Sequence, residues 1–307
     1  MKKVIVLGAN GFLGTKLSLA LAEKGCCVIA FVDGRFPYHT LLNRQNVKTV
    51  EFSLEEIDTI TEYDLFQDVD TLYHFAWAGV NAALRAEAVT QAQNILYGLN
   101  VMKFAEKYHI NKVIIPGSAA EVGCSQGVIT GKEFPAPTDM YSASKVATRF
   151  VCQTYAKQHG IGLIWTLITS IYGPGRDDNN LLTYSIKKLL KGEKPSTTKL
   201  EQKWDYLHIE DLIKALVLLG EKGVCGKVYP IGSGVCRQMY EYIEIIRDLI
   251  NPDLPIGIGD LPYKNTVIDN QIMDISELVT DTGFSPSYIF ESGIIETINY
   301  FKNISDV

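Results

Sequence analysis

The sequence predicts an α/β chain, with a doubly wound parallel sheet covered by helices on both faces and a smaller, more irregular C-terminal portion. Three observations predict it. Short β-branched runs alternate with helix-length periodic runs as far as Tyr172, a glycine-rich turn separates the first run of each kind, and the texture changes beyond Gly173. Alternation of this sort places parallel strands side by side, because right-handed crossovers lay the helices on the sheet faces.

The elements follow in order. "KKVIVLG" reads as a buried strand, and "FLGTKLSLALAEKG" as a helix with Leu13, Leu17, Ala20 and Leu21 on one face and Gly25 as its stop. "CCVIAFVD" is a second strand, "DTLYHFA" another, "EAVTQAQNILYGLNVMKFAEKYH" a long helix and "NKVIIPGSA" a further strand. The prolines and Thr138-Asp139 of "FPAPTD" mark a helix start before Tyr141, and "IGLIWTLITSIYGPG" reads as one strand after that helix. Beyond it come a polar turn ("GPGRDDNN"), a helix with a lysine-rich face ("LLTYSIKKLLKGEKP") and a segment without a clear period ("NPDLPIGIGDLPYKN"). "KWDYLHIEDLIKALVLLGEKG" and "GKVYPIGSG" are expected to return to the sheet. The expected division is therefore 1–172, rejoined by 204–232, against 173–203 and 233–307.

Composition excludes several classes. A chain of 307 residues buries a substantial core, and its formal charge of −6 offers no broad basic surface for nucleic acid or an anionic membrane. The apolar run at the N-terminus, Val4 to Leu7, is too short for a signal peptide, and no later run approaches a membrane span. Cys26, Cys27, Cys124, Cys152, Cys225 and Cys236 show neither a CxxC nor a Cys/His metal spacing, so they read as reduced thiols of a cytoplasmic protein that binds no metal.

The turn Gly8-Ala-Asn-Gly11-Phe-Leu-Gly14 follows the first strand and opens the first helix. Glycines there let backbone approach a pyrophosphate closely, while the helix N-terminus offers unpaired N–H groups and partial positive charge. In that context the turn predicts a Rossmann-type, dinucleotide-binding domain. Asp33, at the end of the second strand, stands where a carboxylate accepts hydrogen bonds from the adenosine ribose, which favours NAD; Arg35 could instead pair with the 2′-phosphate of NADP.

A Tyr-x-x-x-Lys spacing occurs three times, at Tyr108–Lys112, Tyr141–Lys145 and Tyr184–Lys188. Tyrosine titrates near 10 when unperturbed, so it needs a neighbouring cation to move protons near neutral pH. Positions i and i+4 share a helix face. Tyr108 ends a helix and Lys112 begins a strand, which breaks that geometry; Tyr184 and Lys188 share a helix of the C-terminal part. Tyr141 opens the helix that follows the strand carrying Ser118, and strand ends are where open α/β sheets bind ligands. Ser118, Tyr141 and Lys145 are therefore the candidate catalytic set.

With these residues in hand, the sequence resembles the extended short-chain dehydrogenase/reductase family, particularly its NAD-dependent epimerase/dehydratase branch acting on nucleotide sugars. The resemblance runs through "GANGFLG", "HFAWAG" (74–79), Asn94, "GSAAEVG" (117–123), "YSASK", "IYGPG" (171–175), "WDYLHIED" (204–211) and "YPIGSG" (229–234). It implies that Gly8, Gly11 and Gly14, with Asn10, Phe12 and Leu13 between them, hold the cofactor beside Asp33, and that Phe75, Ala76 and Asn94 lie along it or support its site. Tyr141 becomes the acid/base, Lys145 holds the nicotinamide ribose, and hydride passes between the nicotinamide and a sugar carbon, usually C4. A homodimer is the expected assembly.

Departures from the family narrow the reaction. The resemblance implies an Asp-Glu pair directly after the serine in members that remove water, and a cysteine two residues after it in members that invert C3 and C5; here those positions are Ala119 and Ala120. C4 epimerisation through a transient ketone, or reduction of a 4-keto sugar, is left. Asp33 favours the 4-epimerase; an NAD(P)-sensing regulator and a small-carbonyl reductase are weaker alternatives. The family's substrate-binding asparagine and arginine are replaced near Ser170 and at Trp204. Candidate contacts to a nucleotide-diphosphate sugar are then Trp77, Ser118, Ser170, Arg176, Lys187, Lys188, Trp204 and Tyr206. His208 reads as a buried, hydrogen-bonded residue.

Overall fold

A computed structural model describes residues 1–61, 63–80, 82–123, 127–176, 180–263 and 270–305. Cys124 and residues 177–179 of the polar turn lie outside the described residues.

Seven parallel strands form the central sheet: β1 (Lys3–Leu7), β2 (Cys27–Val32), β3 (Val47–Glu51), β4 (Thr71–His74), β5 (Lys112–Ser118), β7 (Gly162–Ile168) and β11 (Val228–Ile231). Their spatial order is β11-β7-β5-β4-β1-β2-β3. The chain winds from β1 outward through β2 and β3, returns to β4, and continues the other way through β5, β7 and β11. Val4 accordingly pairs with Val28 on one side and Thr71 on the other. That reversal opens a crevice beyond the C-terminal strand ends, the usual ligand position in such sheets.

The strands are apolar on both sides because both faces are covered. On one face α1 (Phe12–Glu23), α7 (Ile209–Lys222) and α9 (Ser276–Thr282) bury Leu17, Leu21, Leu212, Leu216 and Leu278. On the other, α2 (Tyr63–Phe66), α4 (Ala88–Lys107), with the short α3 (Ala82–Arg85) before it, and α5 (Met140–His159) bury Phe66, Val101, Phe104 and Cys152. A third cluster joins α6 (Leu181–Leu190), α8 (Met239–Ile250) and α10 (Phe290–Ser305) through Leu182, Ile186, Tyr242, Ile246 and Ile294.

Three short pairings complete the fold: β6 (Val128–Ile129) with β13 (Ile272–Met273), β8 (Ser170–Tyr172) with β10 (Tyr206–His208), and β9 (Lys203–Trp204) with β12 (Arg237–Gln238). The stretch read as one strand over 161–172 is thus two. Thr169 breaks it, its N–H donating to Ile231 O at 3.0 Å and its hydroxyl to Asp205 O at 2.6 Å. Residues 228–231 join the main sheet, but 206–208 pair with β8 outside it. β3 carries no clear sequence signal, because it is an edge strand with no fully buried residue.

Among the described residues no helix is long and apolar enough to cross a membrane. Cys26, Cys27, Cys152, Cys225 and Cys236 are free thiols.

Candidate active site

β5 delivers Ser118 to the crevice. Its Oγ accepts a hydrogen bond from Ala120 N at 3.2 Å and begins a single 3₁₀ turn, Ala119–Val122. Glu121 closes that turn from below. Wholly buried, its carboxylate accepts from Ser118 N at 2.9 Å and from Trp165 Nε1 at 3.1 and 3.2 Å, with Arg149 Nη1 at 3.6 Å. Burial raises its pKa, against the hydrogen bond from Ser118 and the Arg149 charge.

α5 delivers the pair. Asp139 caps it, accepting from Ser142 N at 2.7 Å, so Tyr141 stands in the first turn and Lys145 one turn later. Burial raises the Tyr141 pKa, while the Arg85 charge and a hydrogen bond with Ser118 lower it. Lys145 is buried; Nζ donates to Pro116 O at 2.8 Å and lies 3.6 Å from the Trp77 ring centroid. Burial lowers its pKa, and the Glu121 carboxylate opposes that shift. The Trp77 and Tyr141 rings meet edge to face, with centroids 6.0 Å apart.

Two glycines of the turn leave no room for a side chain. A Cβ on Gly8, at φ +76°, would stand 2.6 Å from Ala76 N, and one on Gly14 would stand 2.1 Å from Gly8 O. Gly11 is the N-cap of α1 and supplies no side-chain cap, which leaves the first helical N–H groups available to a pyrophosphate. Asn10 ties this turn to the end of β2, donating to Asp33 O at 2.9 Å and accepting from Asp33 N at 3.2 Å. Arg35 engages the Asp33 carboxylate through Nε at 2.9 Å and Nη2 at 2.6 Å, and holds its pKa below the ordinary value. The donor set fits a dinucleotide.

A cavity of about 480 Å³ lies beside this turn. Of the residues expected at the site, Leu13, Phe75, Trp77, Ser118, Tyr141, Lys145, Ser170, Arg176 and Trp204 line it. Trp204 Nε1 donates to Ser170 Oγ at 2.9 Å. Asn94 does not line it; buried, it accepts from Ala78 N at 2.8 Å and donates to Ala78 O at 3.0 Å, bracing the loop that carries Trp77. Lys188 points elsewhere, paired with Glu193, and Lys187 sits over the Phe301 ring. Tyr206 packs against Tyr242 inside the C-terminal cluster. His208 is buried, with Nδ1 accepting from Glu210 N at 3.4 Å.

Sequence reasoning missed Arg85, Thr138, Thr169, Asn270 and Gln271, all of which line the cavity. Thr138 and Thr169 fall in stretches read only as a helix start and a strand, Gln271 follows the segment without a period, and Arg85 ends a single helical turn. Among the described lining residues the charged ones are Arg85, Lys145 and Arg176, with no carboxylate.

Residues 4–232 match the NAD dependent epimerase/dehydratase family. The chain belongs to that family. Among solved structures this family member is similar to the UDP-N-acetylglucosamine 4-epimerase of Methanobrevibacter ruminantium M1 in complex with UDP-N-acetylmuramic acid, at 24% identity and a TM-score of 0.87, covering 100% of this chain and 99% of that one. It is also similar to the UDP-glucuronic acid 4-epimerase of Bacillus cereus in complex with UDP-glucuronic acid and NAD, at 20% identity and a TM-score of 0.85, covering 98% and 99% of the two chains. By sequence it is 23% identical to the dTDP-glucose 4,6-dehydratase of Streptomyces niveus, over 98% of this chain and 93% of that protein.

Proposed function

We propose that this chain is an NAD-dependent nucleotide-sugar 4-epimerase that works through a transient 4-keto sugar. The observation that carries the reading is the cavity itself: Ser118 and Tyr141 meet in a pocket with three basic side chains, two of them arginines, and no carboxylate among its described lining residues. Cations suit a nucleoside diphosphate. The missing carboxylates leave nothing to expel water from the sugar, since Ala119 and Ala120 stand after the serine and Glu121 is buried beneath it, held by Ser118 N and Trp165.

NAD, held at its pyrophosphate by the glycine turn and at its nicotinamide ribose by Lys145, would supply the hydride chemistry at C4. Tyr141 takes the O4 proton and later gives it back, Ser118 hydrogen-bonds the same oxygen, and Lys145 anchors the nicotinamide ribose. Gly8, Gly11 and Gly14 admit the pyrophosphate, and Asp33 faces the adenosine ribose. In this reading 1–172 with 204–232 hold the cofactor, whereas 173–203 and 233–307 add substrate contacts such as Arg176 and Gln271. A second copy packs on α4 and α5, where Leu96 and Phe150 are exposed.

A second reading, reduction of a 4-keto sugar with NADPH, draws on Arg35 at the ribose end. Incubation with UDP-, dTDP-, CDP- and GDP-sugars, read by NMR for configuration at C4, separates the two. The epimerase inverts C4 in at least one sugar without added reductant. If none is inverted while 4-keto sugars are reduced stoichiometrically by NADPH, the reductase replaces it.

A further inference from the structure

Arg85 ends α3 on the cavity wall, with its guanidinium carbon 4.1 Å from the centroid of the Tyr141 ring. No carboxylate among the described residues pairs with it. Lys145, the cation that the sequence spacing assigns to this tyrosine, is engaged elsewhere. Its Nζ donates to Pro116 O at 2.8 Å and lies 3.6 Å from the Trp77 centroid, against 5.8 Å from that of Tyr141. We infer that Arg85 is a positioning residue for proton transfer, a second cation that stabilises the phenolate of Tyr141 through the face of its ring.

An aromatic face is negative, and ionising the phenol spreads a full charge over that ring, so a cation above it favours phenolate over phenol. The partly desolvated cavity strengthens the effect. Other groups also face Tyr141: Ser118 and Glu121 from the turn after β5, Asp139 at the helix cap, Lys145 one turn along, and Trp77 from the loop after β4. Glu121 and Asp139 act against the phenolate, and a cation over the ring offsets them. Arg85 and Lys145 then have separate tasks, the first on the tyrosine ring and the second on Pro116, Trp77 and the cofactor side of the cavity.

The inference rests on the reading of Tyr141 as the acid/base, but its test does not depend on turnover. Tyrosines labelled with ¹³C at Cζ are titrated by NMR in the full-length protein, and Tyr141 is assigned by its absence in Tyr141→Phe. In Arg85→Met, which keeps the apolar stem, the Tyr141 midpoint moves to higher pH; in Arg85→Lys it moves back toward wild type. Once a substrate is known, kcat near neutral pH falls about tenfold in Arg85→Met with KM little changed, and the acid limb of the profile moves to higher pH. An unmoved Tyr141 midpoint in a folded Arg85→Met protein overturns the inference. A rise in KM with that midpoint unmoved overturns it too, and makes Arg85 a grip on an anionic group of the substrate. A failed epimerase assay leaves the titration result standing, so the two failures are distinct.

Discussion

At Tyr141 a single oxygen carries the proposed chemistry, while the ring around it is held by contacts that do not involve that oxygen. Tyr141→Phe keeps the ring beneath Arg85 and beside Trp77. NAD affinity and melting temperature should therefore stay at wild-type levels while kcat falls about 10²- to 10⁴-fold. Calorimetric NAD titration alongside turnover measures both, and unchanged kcat would remove the tyrosine from the chemistry. His74 makes a different prediction. It is buried, its Nδ1 has no hydrogen-bond partner, and burial, aided by the Lys145 charge, pushes its pKa down to about 3. An unfolded histidine titrates near 6.5. Above that pH neither state takes a proton; below it the unfolded chain gains one that the folded chain refuses until about pH 3, so stability drains away through that window. Melting curves of wild type and His74→Gln, from about pH 7 to about pH 4, should show the wild type losing ground as acid is added. A constant gap would mean that His74 is not held neutral.

Among the elements, α1 makes the sharpest demand on its sequence. A methyl group on Gly14 would sit 2.1 Å from Gly8 O, so the helix must move away from the turn. Gly14→Ala should lower the melting temperature, by an overpacking cost of about 1–3 kcal/mol, and weaken NAD binding at least tenfold. Wild-type NAD affinity in that variant would place the cofactor away from this helix end. Elements with their own periodicity or cap were legible in the sequence: α4 by its length, α5 by Asp139, and the three Tyr–Lys spacings by where each helix starts or stops. Tyr108 lies just past the end of α4, Tyr184 and Lys188 share α6, and only Tyr141 begins a helix beside Ser118. The break at Thr169 was not legible. It lies inside one apolar run, and the hydrogen bonds that redirect the chain come from Ile231 and Asp205, far along the sequence.

For the molecule as a whole, the same distinction divides the candidate site. Ser118, Tyr141, Lys145 and the glycine turn sit in compact patterns, each readable from a few neighbours. Arg85 and Gln271 reach the cavity only because the sheet and the C-terminal segment bring them there. Gln271 Oε1 accepts from Ser170 N at 3.3 Å, across 101 residues of sequence, and lies 2.9 Å from Thr169 Oγ1, sharing that hydroxyl with Asp205 O. Gln271→Ala loosens this wall but leaves the glycine turn untouched. It should raise KM for the sugar nucleotide several-fold with the NAD dissociation constant unchanged; equal losses of both would show that the wall also supports the cofactor.

That cross-chain hydrogen bond also bears on the order in which the protein becomes competent during synthesis. The seventh strand of the sheet ends at Ile231, upstream of Gln271 and β13. A chain emerging from the ribosome N-terminus first therefore carries all seven strands of the sheet before Asn270 and Gln271, the last residues of the cavity wall, are made. The glycine turn and the Ser118–Tyr141 pair are the earlier acquisition, and the Gln271 side of the cavity is the later one.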